Sequence, residues 1–428
     1  MRLTVEQLKT FGPDYHLIHF VSTAFFMDEP DRIGVAVSGG GDSMALLHAA
    51  ISCAALSGTK IEAVTVDHGL RSEAADEAEG VAHYCEQEGI PHTILKWDGL
   101  AAKGNIAAAA REARFRLMAD WAKERDIGGI LLGHTANDIA ETFLMRLARK
   151  AGVDGLAAMD VRFNRHGIVW ARPFWQQTRD RLRDYLRRHG VAWVEDPTNV
   201  DENHDRPRMR RILSLLEDEG IGVEEIKSTA HRLKMARTAL EDTTAEAAKL
   251  LVTSDCCDLI VTRNADPPVA GEIERRLLNA ALRYVSGTGY PPREKAYNGM
   301  LRALIEQDTY TVAGCLVTIE RPEGIVNQKV RVAREFNAVK DLVGPSDVTW
   351  DNRWAIDGPH APNLTIRALG ESLKDVPDWR DVGLPRASLM ASPAVFDGET
   401  LISAPIAGLQ NGFSARIVAD FQSFLLSR

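Results

Sequence analysis

Short β-branched runs alternate with amphipathic stretches through the first half of the chain. Arg32–Val37, Ile61–Val66, His92–Trp97 and Ile127–Leu132 are apolar segments of strand length. Between them Met44–Leu56, the acidic Ser72–Gln87 and the Ala- and Arg-rich Ile106–Arg125 read as helices, and Asn137–Arg149 continues the series. This βαβα order predicts an α/β fold, a doubly wound, Rossmann-like parallel sheet with helices on both faces and right-handed crossovers. Ligands of such sheets sit at the carboxyl ends of the strands. After about residue 215 the pattern changes. Glu217–Leu251 is helical in character, the region to about 335 mixes helix with short strands, and from about 345 the Pro, Gly and Trp content rises. The expected organisation is an α/β domain over 1–215, a mostly helical middle domain over 216–340 and a small β-rich domain over 341–428.

Composition sharpens this picture only in places. With 428 residues, 45% hydrophobic and 26% charged, the chain is too long for one ordinary core and has the profile of a water-soluble protein. No apolar run is long enough to span a bilayer, and the first residues lack a signal-peptide layout, so a cytoplasmic protein with no membrane partner is expected. Nothing in the pattern implies an obligate protein partner. Cys53, Cys85, Cys256, Cys257 and Cys315 show no CxxC spacing and read as reduced thiols. The net charge of −9 argues at first against a polyanionic partner, but its distribution does not. Residues 1–141 carry 12 Lys/Arg against 21 Asp/Glu, residues 142–215 carry 15 against 9, and residues 216–428 carry 24 against 30. A basic middle between acidic flanks suits a local polyanion site, because screening makes local charge count for more than the total. A solvated, Arg-rich helix surface would look the same.

The sharpest chemical signal is Ser38-Gly39-Gly40-Gly41-Asp42-Ser43, between a strand and a helix. Consecutive glycines permit positive φ and bring backbone N–H groups close to an anion, and the helix start adds its own unsatisfied N–H groups. Ser38 and Ser43 can donate hydroxyls to phosphate oxygens. Asp42 cannot, and coordination of a phosphate-bridging Mg²⁺ is the natural role for an acid there. The segment is neither GxxxxGK[ST] nor GxGxxG. It is similar to the SGGxDS signature of PP-loop pyrophosphatases, which hold the pyrophosphate end of ATP and transfer AMP.

Further blocks resemble the tRNA(Ile)-lysidine synthetase family over residues 32 to about 215. They are Val66-Asp67-His68-Gly69-Leu70-Arg71, Gly104-Asn105 with Ala110-Arg111-Glu112-Ala113-Arg114-Phe115, Leu132-Gly133-His134 with Asn137-Asp138 and Glu141-Thr142, and Glu195-Asp196-Pro197-Thr198-Asn199. Thr135, Asn137 and Pro207 depart from the family pattern, standing where it has a His, an acid and an Asn. The resemblance implies ATP and Mg²⁺, free L-lysine, and the isoleucine tRNA with a CAU anticodon. In that reaction ATP adenylates C2–O of the wobble cytidine, and the lysine ε-amine then displaces AMP.

By the same resemblance Ser38–Ser43 bind ATP, Asp42 and Asp138 hold Mg²⁺, and Asp42, Arg114 and Asp138 are catalytic. Asp138 and Glu141, three residues apart on one helix face, could meet the lysine ammonium groups; equally, they could be N-terminal acids complementing a helix dipole. Arg114 could stabilise charge on the cytosine or α-phosphate, or be a surface arginine. His68 and His134 are secondary candidates. Arg206, Arg208, Arg210 and Arg211 form the densest cluster for tRNA phosphates, expected to lie apart from the nucleotide site, with Arg179, Arg181, Arg183, Arg187 and Arg188 on a neighbouring helix. A PP-loop tRNA thiolase, or another PP-loop adenylating ligase, remains the alternative.

Overall fold

The computed structural model describes residues 3–25, 30–67, 73–97, 106–195, 205–263, 268–306, 308–320 and 328–426. His68 to Arg71, Gly104, Asn105 and Asp196 to Asn199 lie outside the described residues. The chain divides into two compact units, Met1–Arg237 and Thr238–Arg428. The positions at 215/216 and 340/341 expected as domain edges are not edges of these units.

The first unit is built on strands β1 (Arg32–Ala36), β2 (Lys60–Asp67), β3 (His92–Lys96), β4 (Gly129–Leu131), β5 (Arg162–Arg165) and β6 (Ile168–Ala171). Their order is β3-β2-β1-β4-β6-β5. All neighbours are parallel except β5, which closes the edge antiparallel to β6. The helices are α1 (Val5–Lys9), α2 (Tyr15–Phe25), α3 (Gly41–Ser57), α4 (Glu73–Gln87), α5 (Ile106–Glu124), α6 (Ala136–Ala148), α7 (Val153–Leu156), α8 (Arg179–His189), α9 (Asp205–Glu217) and the first half of α10 (Val223–Leu251), whose second half belongs to the other unit.

Burial explains the two-sided architecture. On one face Val35 packs with Met44, Leu46, Leu47 and Cys53 of α3 and with Leu182, Tyr185 and Leu186 of α8. On the other, Phe115, Met118, Trp121 and Ala122 of α5 recur at helical spacing against Val64, Ile130 and Trp170. Gly34 in β1 makes room for this layer, since a Cβ there would lie 2.9 Å from Trp121 Cζ3. α3 is buried almost all round because α2, α8 and the sheet enclose it, so its apolar residues show no single stripe.

The second unit carries β7 (Val252–Asp255), β8 (Asp258–Arg263), β9 (Tyr310–Val312), β10 (Cys315–Glu320) and β11 (Gln328–Arg334) in the antiparallel order β7-β8-β11-β10-β9. Helices α11 (Gly271–Ser286) and α12 (Glu294–Glu306) pack their apolar faces on it through Leu277, Leu278, Met300 and Leu304. Strands Gly344–Pro345, Leu364–Ala368, Pro393–Asp397 and Thr400–Ser403 form a further antiparallel sheet over Ile366, Val395 and Phe396. The helical middle and the strand-rich end expected from the sequence are both present, with the five-stranded sheet added to the middle.

Gly133, just after β4, shows how closely the strand ends approach the start of α3. A Cβ at this position would lie 3.1 Å from the Asp42 carbonyl oxygen and 3.2 Å from Ser43 Cα. Both neighbours are backbone and cannot swing away. Gly133→Ala is therefore expected to cost about 1–3 kcal/mol of unfolding free energy in urea. Gly80→Ala, where a Cβ meets nothing within 4 Å, should leave stability unchanged or slightly raised. Equal stabilities for the two variants would remove the constraint assigned to Gly133.

Candidate active site

The carboxyl ends of β1, β2 and β4 open into a cavity of about 450 Å³. Its floor is the turn between β1 and α3. Gly39 adopts φ +81°, which favours glycine, and Gly40 caps α3 with extended backbone. Ser43 Oγ donates to the Gly40 carbonyl at 2.9 Å and accepts from Ser38 N–H at 3.1 Å, while the two hydroxyls lie 3.2 Å apart. Val194 N–H donates to the Gly39 carbonyl at 3.0 Å, tying the loop from outside. The helix start and its free N–H groups face the cavity, as an anion site requires.

Negative charge gathers beside this loop. Asp138 sits in the first turn of α6, where Thr135 is the N-cap. Asp138 Oδ2 accepts from Thr135 N–H at 2.8 Å and from Thr135 Oγ at 2.9 Å. Thr135 thus fixes the rotamer of the acid three residues on. Arg179, the first residue of α8, reaches back to three carboxylates. Its Nη2 donates to Asp138 Oδ1 at 2.8 Å, its Nε to Asp42 Oδ2 at 3.2 Å, and its Nη1 to Glu141 Oε1. α8 has no side-chain cap of its own; Asn137 Oδ1 accepts the Arg179 backbone N–H at 3.0 Å instead. The two departures at 135 and 137 therefore have local structural work. Pro207 lies in the first turn of α9, where a missing N–H costs no helical bond.

The acids differ in state. Burial pushes the Asp42 carboxyl up to about 6, with Arg179 opposing and Asp138 adding to the rise. Burial would raise Asp138 too, but Arg179 and the Thr135 N–H outweigh it and hold it below the usual carboxylate range. Burial lowers His134 to about 3, so its ring is neutral. Nδ1 of that ring accepts from Arg172 Nε at 3.3 Å, which leaves the ring proton on Nε2. Arg114 also lines the cavity. Burial, then the neighbouring charges of Arg111 and Arg206, lower it to about 10, and its Nε is buried with no hydrogen-bond partner among the described residues.

The structure brings Ser38, Gly40, Gly41, Asp42, Ser43, Arg114, His134 and Asp138 into one cavity. It does not open Glu141 to that cavity: this residue is fully buried, its Oε1 held by Arg179 and by Arg210 Nε at 2.8 Å. The arginine cluster on α9 is divided, contrary to the expectation that it stands apart. Arg206 and Arg210 line the cavity, while Arg208 pairs with Asp205 at 2.7 Å; Arg211 is exposed outside it. On α8 most of the charge is already committed, Arg183 to Glu195, Arg187 to Asp184 and Arg188 to Asp14. Arg179 is the residue the sequence concealed. It looks like one more phosphate-binding arginine in a basic helix, and no local spacing marks partners 38, 41 and 137 positions away.

Comparison with known proteins identifies the family. Residues 14–216 match the PP-loop domain family. The chain is 42% identical over 415 residues to the tRNA(Ile)-lysidine synthase of Ruegeria pomeroyi, covering 96% of this chain and 98% of that protein. The tRNA(Ile)-lysidine synthase of Brucella canis is 36% identical over 397 residues, covering 89% and 87%. Among solved structures, the U34-tRNA thiolase NcsA of Methanococcus maripaludis aligns with a TM-score of 0.44 and 17% identity, over 51% of this chain and 78% of that one.

A carboxyl whose folded-state pKa exceeds its unfolded value weakens the fold as pH rises between the two. For Asp42 that window runs from 3.8 to about 6. Asp42→Asn should thus raise the unfolding free energy at neutral pH by on the order of 1 kcal/mol. The gain should shrink to nothing as pH falls through the window, as read from denaturant titrations across it. A loss at neutral pH would show that the pairing with Arg179 outweighs burial.

Proposed function

Because the chain belongs to the tRNA(Ile)-lysidine synthase family, we propose that it ligates L-lysine to C2 of the wobble cytidine of tRNA(Ile) bearing the CAU anticodon. ATP is cleaved to AMP and pyrophosphate, and the product nucleoside is lysidine. The observation that supports this reading best is one cavity holding an anion loop, a carboxylate pair and an arginine with an unused donor.

In the first step the cytidine C2 oxygen bonds to the α-phosphorus and the bond to pyrophosphate breaks. The Ser38–Ser43 loop holds the pyrophosphate through backbone N–H groups and the Ser38 hydroxyl, while the Ser43 hydroxyl braces the turn through the Gly40 carbonyl. Arg114 supplies positive charge where the α-phosphate becomes more negative, the kind of preorganised stabilisation that is effective in a dry site. In the second step the lysine ε-nitrogen bonds to C2, and the C2–O bond breaks to release AMP. Asp138, held ionised by Arg179, provides negative charge for an ammonium group of lysine.

Asp42 and Asp138 fit a divalent cation. They share the Arg179 guanidinium, and burial, which that guanidinium offsets only in part, leaves the Asp42 carboxyl above its ordinary value. Mg²⁺ is commonly held by one or two carboxylates plus phosphate oxygens, and bound here it would neutralise phosphate charge. Arg206, Arg208, Arg210 and Arg211 present α9 as the phosphate-binding surface for tRNA. Among the described residues no helix is long and apolar enough to cross a membrane, and we assign the reaction to the cytoplasm. A thiolating reading lacks support, since none of the five cysteines lines the cavity.

Incubation with ATP, lysine and the tRNA transcript should yield AMP and pyrophosphate, with lysidine detected by mass analysis of the digested nucleosides. Stoichiometric ADP and orthophosphate, or an unmodified cytidine, would overturn the assignment. Asp138→Asn keeps volume and removes charge, and should slow adenylation by about a hundredfold, a few kcal/mol of transition-state stabilisation. Adenylation at the wild-type rate would take Asp138 out of the reaction.

A further inference from the structure

Arg172 is a buried cation that the reaction steps above leave without a part. It directly follows β6, is 6% exposed, and makes no ion pair with a carboxylate among the described residues. Burial, and next the charge of Arg111, lower it to about 10. A charge kept in such a place without a paired carboxylate is costly, so its contacts need a reason.

Three contacts hold the guanidinium. It lies 4.2 Å from the centroid of the Phe163 ring, Nη1 donates to the Asp160 carbonyl, and Nε donates to His134 Nδ1 at 3.3 Å. The first two fix its plane. The third reaches a residue that lines the cavity, although Arg172 itself does not. Leu132 N–H donates to the Ala171 carbonyl at 2.8 Å, so the chain leaves β4 towards His134 and β6 towards Arg172 side by side.

A guanidinium can only donate, and it stays protonated. A carbonyl or carboxylate against Nδ1 would leave Nε2 bare and basic; an arginine does the reverse and leaves a proton on Nε2. An imidazolium would set two donors against each other, so the same contact favours the neutral ring. Among the described residues nothing accepts from Nε2, and His134 shares the cavity with the phosphate loop and Arg114.

We propose that Arg172 is a positioning residue: it locks His134 as a neutral donor whose Nε2–H serves a phosphate oxygen of the bound nucleotide, and so removes His134 as a base for the lysine ammonium group. This rests on the adenylating reading above. A donor fixed from outside the cavity needs no reorganisation when charge develops on the phosphate.

The first test is NMR of the full chain, isotopically labelled at its histidine ring nitrogens, at neutral pH and without ligand. Signals absent from His134→Gln belong to His134, and they should show a proton on Nε2 and a bare Nδ1. A proton on Nδ1 would overturn the lock, whatever the activity. The second test is pyrophosphate release from ATP with the tRNA transcript and no lysine. Arg172→Met lets the ring exchange tautomers and should lower kcat by about tenfold, with a smaller change in KM for ATP. His134→Gln keeps an N–H donor near the Nε2 position and needs no lock. It should retain most of the rate, and adding Arg172→Met to it should cost little more. An equal loss from Arg172→Met in both backgrounds would overturn the proposal, because Arg172 would then serve the fold alone. The two readings fail separately. If the functional assignment is wrong, the wild-type protein forms no lysidine while its ring signals stand as expected, whereas a wrong lock leaves lysidine formation intact and puts the proton on Nδ1.

Discussion

Arg179 neutralises carboxylates from two helices, Asp42 at the start of α3 and Asp138 and Glu141 on α6. Removing this guanidinium would leave the buried carboxylates uncompensated where water cannot reach them, which typically costs several kcal/mol. The guanidinium is placed by packing well away from it. α8 lies against α3 through Leu182, Tyr185 and Leu186, and His48 Nδ1 meets the Tyr185 hydroxyl at 2.6 Å. Burial lowers His48 to about 4, so this contact carries no charge at neutral pH and acts as a fixed peg between the helices. The phosphate loop begins α3 and Arg179 begins α8, so the seam that aligns the helices also aligns the anion site with its counter-charge.

The fold was legible where local chemistry and period agree. The glycine triplet between an apolar run and a helix announced the loop, and β1 to β4 lie where β-branched runs fall. Asp138 was legible from its place after β4. What stayed hidden depends on direction and distance through space. Arg179 and its neighbours Arg181 and Arg183 are one residue type in one helix, and only the angle of α8 sends the first of them to the carboxylates. Glu141 looked like an open ligand because i, i+3 spacing reports a shared helix face and not what packs over that face. α9 covers it with Arg210.

Thr135 and Asn137 carry a related lesson. As departures from a family pattern they were given no role from the sequence. In the structure Thr135 caps α6 and clasps Asp138, and Asn137 caps α8 across a helix boundary. Both side chains orient the acids and the arginine, and neither residue lines the cavity. A sequence pattern records which side chains stand at a site but not which neighbour holds them there.

Burial leaves charge of both signs poorly compensated in the cavity: Arg114, with Arg111 and Arg206 nearby, and Asp42, which Arg179 offsets only in part. A ligand that brings anion and cation together, as a metal–nucleotide does, relieves both at once. The filled protein therefore resists unfolding more than the empty one, by an amount set by ligand concentration through mass action. Proteases act on transiently opened chains, so the lifetime of each molecule is tied to the supply of what it consumes.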